Sequence, residues 1–195
     1  MNFRSVWNRF LRLLSIRQPR SKREASASLN LEKLEDRVNP SGLFLTQSEV
    51  QELADAAVDQ WVEAGISQEQ LEVLQNLNYQ IADLGEHHLG QYRPGRITVD
   101  DNAAGRLWFG DATPDLNEEF VGEGNSFVAI EDTLAYRKID LLTVLIHEQG
   151  HALGLTGQIG SVDDVMNETL QDGIRRLPIL DQAEDAIPGS ITTLQ

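Results

Sequence analysis

The stretch that most constrains the fold of this chain runs from residue 139 to residue 154. It reads Ile139-Asp140-Leu141-Leu142-Thr143-Val144-Leu145-Ile146, followed by His147-Glu148-Gln149-Gly150-His151-Ala152-Leu153-Gly154. A segment this apolar is not tenable as a free surface helix, because a surface helix needs a wide polar face. It has to be covered by other elements. Asp140 stands where a helix N-cap belongs, and the spacing predicts a helix from there to about Leu155. Gly150 lies inside that helix, where glycine costs about 1 kcal/mol relative to alanine. Such a cost points to close packing against a neighbouring element. Gly154 provides the stop, three residues after His151.

The elements that cover this helix are legible upstream. Thr46-Gln47-Ser48-Glu49 is a capping box, and Val50, Leu53, Ala57 and Trp61 then recur at helical spacing up to about Gly65. Ser67-Gln68-Glu69-Gln70 is a second capping box, opening a short helix through Leu71, Val73, Leu74 and Leu77. Tyr79, Ile81 and Leu84 alternate as a strand does, ending at Gly85. Residues 96–100, 107–109 and 126–130 read as further strands, with Ala103-Ala104-Gly105 as a turn. A helix, short strands and then a long helix indicate an α+β domain, with a small mixed sheet, an N-terminal helix and a central helix.

Charge divides the chain of 195 residues into two parts. Residues 1–24 carry seven basic side chains and one acid, whereas residues 43–195 carry 7 Lys and Arg against 27 Asp and Glu. An acidic body repels phosphate backbones, which argues against nucleic acid as a partner. No apolar run approaches the roughly 18 residues that a membrane-spanning helix needs. The leader has scattered apolar residues (Val6, Trp7, Phe10, Leu11, Leu13, Leu14, Ile16), but Arg12 interrupts the unbroken apolar stretch of about 7–15 residues that a secretory signal uses. Residues 17–28 read as a polar linker. There is no cysteine, so disulfides and cysteine–zinc sites are excluded. The expected division is a leader and linker over 1–42 and a domain over 43–195.

Chemistry concentrates at residues 147–151. Two histidines four apart on a helix share one face, so both imidazoles reach one metal ion. Zinc suits nitrogen ligands in tetrahedral geometry and lowers the pKa of a bound water to about 7. Glu148, next to the first histidine, projects beside the metal. There it is placed to take a proton from that water and hand it to a leaving amine.

These residues carry a resemblance. His147 to Gly154 resembles the start of the metzincin signature HExxHxxGxxH/D in its matrixin-like form, and Asp164-Val165-Met166-Asn167 stands where that family has its Met-turn. Met166 is the only methionine besides Met1. The resemblance implies a zincin-like fold, a Zn2+ cofactor, His147 and His151 as ligands, Glu148 as catalytic base and Met166 as a floor beneath the metal. It departs at the third ligand. Six residues after His151 stands Gly157, which has no donor, and Thr156 and Gln158 are poor zinc ligands. Asp163 is the first candidate to replace it, with His87 and His88 more distant ones. Separately, residues 31–41, Leu-Glu-Lys-Leu-Glu-Asp-Arg-Val-Asn-Pro-Ser, resemble the LExLEDRxxPS element that follows a basic leader in many exported bacterial proteins.

The resulting expectation is an exported, extracellular or cell-surface zinc endopeptidase acting on a protein or peptide. The alternative is a degenerate relative that keeps the fold and serves as a protein-binding module.

Overall fold

The computed structural model describes residues 45–157 and 163–179. These belong to one unit spanning Pro40–Gln195. The basic leader, the linker and the LExLEDRxxPS element lie outside the described residues.

Helix α1, Gln47–Glu63, starts as its capping box dictates. The Glu49 amide donates to Thr46 Oγ1 at 3.3 Å, and the Thr46 amide donates to Glu49 Oε2 at 2.8 Å. Its apolar stripe buries Val50, Leu53, Ala54, Ala57 and Trp61. Helix α2, Gln68–Gln75, opens on the second capping box. It stops before Leu77, because the chain has to turn at Asn76 to enter strand β1. Helix α3, Leu141–Ala152, begins at Asp140, whose carboxylate accepts from the Thr143 amide at 3.2 Å and the Thr143 hydroxyl at 2.6 Å. It ends three residues before Leu155, since Gly154 takes φ +92°, in the left-handed region that glycine enters without strain.

A helix of 12 residues rich in branched side chains is marginal alone. Leu141, Leu142, Leu145 and Ile146 are fully buried. At about 1.5–3 kcal/mol each, their burial contributes roughly 6–12 kcal/mol as an upper bound, so packing and not propensity holds α3 in place. The principal partner is α1.

Among the described residues the strands form three small sheets. In the first, β1 (Asn78–Ala82) runs parallel to β3 (Arg96–Asp100), and β2 (Gly90–Arg93) lies antiparallel on the other side of β3, giving the order β1-β3-β2. β4 (Trp108–Phe109) pairs parallel with β7 (Ile139–Asp140), which leads directly into α3. β5 (Phe120–Glu123), β6 (Ser126–Ala129) and β8 (Ile174–Arg176) form an antiparallel sheet in the order β5-β6-β8.

The α+β reading holds, with a mixed sheet, an N-terminal helix and a central helix. β1 stops at Ala82, short of the expected Leu84, where the Leu84 amide turns to the buried carboxylate of Asp100 at 2.7 Å. The turn at 103–105 takes left-handed φ at all three residues. Strands β2, β5, β7 and β8 were not anticipated: none exceeds four residues, and only β2 alternates in burial, over a span too short to read from sequence. No helix among the described residues is long and apolar enough to cross a membrane.

Candidate metal centre

The predicted packing at Gly150 is met by two residues. A Cβ built there would overlap Met166 Sδ and come 3.3 Å from Trp61 Cζ2. Met166 is buried beneath the helix at this point, on a turn closed by the Asn167 amide to the Asp164 carbonyl at 3.0 Å. The same turn orients the first histidine: His147 Nδ1 lies 2.9 Å from the Val165 carbonyl. The second is oriented by its own helix end, with His151 Nδ1 3.0 Å from the Leu155 carbonyl.

These two bonds decide the state of both rings. A carbonyl oxygen only accepts, so each Nδ1 carries a proton, and a ring in its neutral form presents a lone pair at Nε2. The two Nε2 atoms converge to 3.1 Å, with the ring planes at 88°. Two lone pairs at that distance repel unless a cation or a proton lies between them. Ligand nitrogens on a tetrahedral zinc, with bonds of about 2.0–2.1 Å, stand roughly 3.3 Å apart. The spacing suits a shared proton, and it is also close to that of two nitrogens on one zinc ion. Burial pushes His147 below its ordinary pKa, against the opposing pull of the Val165 carbonyl, and this favours the neutral ligand form.

Glu148 is only 6% exposed. Desolvation pushes its carboxyl up to about 7, opposed by a hydrogen bond from the Tyr92 backbone. That is the range in which a carboxyl both takes and returns a proton at neutral pH. The room for this side chain is made by Gly90, whose missing Cβ would lie 2.8 Å from Glu148 Cγ and Oε1. Gln149, between the two, is turned inward and braces the helix: its Nε2 donates to the Ala54 carbonyl at 3.0 Å and to Tyr79 Oη at 2.9 Å.

His147, Glu148 and His151 share one cleft of about 920 Å3. Its other walls are residues 87–92, from the turn before β2 and β2 itself, and residues 167–170 with Arg176. His87 and His88 are exposed on this wall. Asp163 does not line the cleft; it is exposed, its carbonyl accepts from Asn125 Nδ2 at 2.8 Å, and its charge acts on Arg176. Among the described residues no group of three or more His, Asp or Glu side chains stands together as a metal-holding set. Gly90 and Glu168 are among the cleft residues that the sequence did not single out. Gly90 carried a usable signal, a glycine opening a strand; Glu168 carried none.

No protein-family model, no curated protein and no solved structure matches this chain.

Proposed function

We propose that this chain is an exported, metzincin-like zinc endopeptidase of the matrixin type, cleaving protein or peptide substrates with Glu148 as general base. The observation that carries the reading is the convergence of two imidazole Nε2 atoms at 3.1 Å beside a buried carboxyl, on the wall of an open cleft. Bound zinc supplies a Lewis acid and lowers the pKa of water to about 7. His147 and His151 would hold the ion through Nε2, each fixed in orientation by the carbonyl at its Nδ1. The Glu148 carboxylate takes the proton of the attacking water and returns it to the leaving amine. Strand β2 is an edge strand of its sheet and lines the cleft, so an extended peptide can add to it through backbone hydrogen bonds. Export rests on the basic leader and the LExLEDRxxPS element.

Metal analysis tests the centre. The wild-type protein is expected to carry about one zinc per chain, and His147→Ala to lose it. Equal zinc in the two proteins would sink the proposal.

A second reading has a specific observation in its favour. Gly157 offers no third ligand, and no three-donor group stands among the described residues. On that reading the domain binds a protein and does not cut it. Zinc-loaded wild type that leaves a broad peptide library intact decides for this alternative.

The positioning of Glu148 gives a further expectation. Gly90→Ala presses on a flexible carboxyl and not on backbone. The melting temperature should move by no more than a few degrees. Turnover should fall by up to about 100-fold, because a misplacement on the order of 1 Å has that effect on a positioned base. Unchanged kcat in a protein of unchanged stability would show that Gly90 does not set the position of Glu148.

A further inference from the structure

The third donor is absent from its expected place, and something else occupies that place. A Cβ built at Gly157 would lie 2.7 Å from Glu168 Oε1, 2.9 Å from its Cγ and 3.3 Å from its Cδ. The Glu168 side chain thus fills the volume in which a ligand side chain at 157 would begin. A side chain at 157 and the present rotamer of Glu168 exclude one another.

Two further observations concern the same carboxylate. It lines the cleft that also holds His147, Glu148 and His151. It follows Met166 by two residues, on the segment that orients His147 through the Val165 carbonyl. The other acid in the cleft, Glu148, is enclosed against Gly90 and the Tyr92 backbone. Glu168 is exposed.

The geometry points to Glu168 as the third zinc ligand of this chain, entering from the segment after Met166 and made possible by the glycine at 157. The inference rests on the zinc centre proposed above. In the described rotamer the carboxylate does not stand in a three-donor set with the histidines. It reaches the ion by side-chain rotation, replacing a ligand carried by the loop after the helix with one carried beyond the Met166 turn. Carboxylate oxygen is an ordinary zinc donor, with bonds of about 2.0–2.2 Å.

The test measures zinc affinity of the full chain by competition with a chromophoric chelator, and the visible spectrum of the cobalt-loaded protein. Circular dichroism checks that each variant is folded. Glu168→Ala is expected to weaken zinc by more than about 100-fold, beyond the 10–100-fold typical of a group that only supports a ligand. It should also change the cobalt spectrum. Adding Gly157→His to Glu168→Ala places an imidazole in the vacated space and should restore affinity. Wild-type affinity and an unchanged cobalt spectrum in Glu168→Ala would overturn the assignment, as would a loss found only in Asp163→Ala or in His87→Ala with His88→Ala. A wild-type protein that binds no zinc at all overturns the centre itself, and is distinguished because it precedes any comparison of variants.

Discussion

On the proposed zinc-peptidase mechanism, Glu148→Gln is expected to bind zinc as the wild type does and to lose peptidase turnover by about 10²–10⁴-fold, the range over which a positioned general base acts. Gln fits the pocket beside Gly90, since it has the size of the carboxyl it replaces. It also keeps an acceptor for the Tyr92 backbone donor. The side chain is nearly fully enclosed, and burial is what holds the native carboxyl near neutrality. An amide has no charge to desolvate, so the fold is not weakened by the change. What disappears is a group that can take a proton from water and return it. Metal content, melting temperature and kcat measured on one preparation separate the possibilities. Undiminished turnover would remove Glu148 from the mechanism. Loss of zinc would identify it as a ligand and not a base.

Arg175→Met is expected to cost about 3–5 kcal/mol of stability, the usual penalty for leaving buried charges without their partner. Arg175 is fully buried. Its Nη2 donates to Asp111 Oδ2 at 2.7 Å and to Asp140 Oδ1 at 2.9 Å, and its Nε to Asp140 Oδ2 at 3.1 Å. Its Nη1 reaches the Leu116 carbonyl and Asn117 Oδ1, each at 3.2 Å. The guanidinium carbon lies 4.3 Å from the centre of the Phe120 ring. Desolvation works against the charge, but Asp140 and Asp111 outweigh it and push the guanidinium above its ordinary pKa. Met fills similar volume and supplies none of these donors. Two carboxylates then remain buried. A fall of roughly 10 °C or more in the melting temperature follows for a domain of this size. Arg175→Lys should recover only part, because an ammonium cannot bridge both carboxylates with the planar fork. Asp140 is also the N-cap of α3, so the loss reaches the histidines through the helix itself. A melting point within about 2 °C of wild type would show that the cluster contributes little.

The legible features share a short range. The capping boxes at Thr46 and Ser67, the cap at Asp140, the stop at Gly154 and the i, i+4 pairing of His147 with His151 each depend on atoms within about one helical turn. Chain order is enough to read them. The glycine at 150 was legible one step further. Its intrinsic cost implied a neighbour, although not that the neighbours would be Met166 and Trp61.

What escaped is set by residues distant in the chain. Arg175 meets Asp111 across 64 positions, and Gln149 meets Tyr79 across 70. Nothing in either local sequence selects that partner. Strand β2 carries only four residues, and its role appears when β3 brings it beside α3.

By itself, then, the sequence determined that a helix begins at Asp140, that it must be buried, and that two imidazoles share one of its faces. Periodicity and capping are properties of neighbours along the chain. Only the tertiary structure decided that both Nδ1 atoms are bound to carbonyls, which turns the two Nε2 atoms toward one point. Only it decided that Glu148 is desolvated against Gly90, and that Glu168 fills the space beside Gly157. Those states are set by the dielectric, the orientation and the excluded volume around a side chain, which exist only once separate elements have packed together.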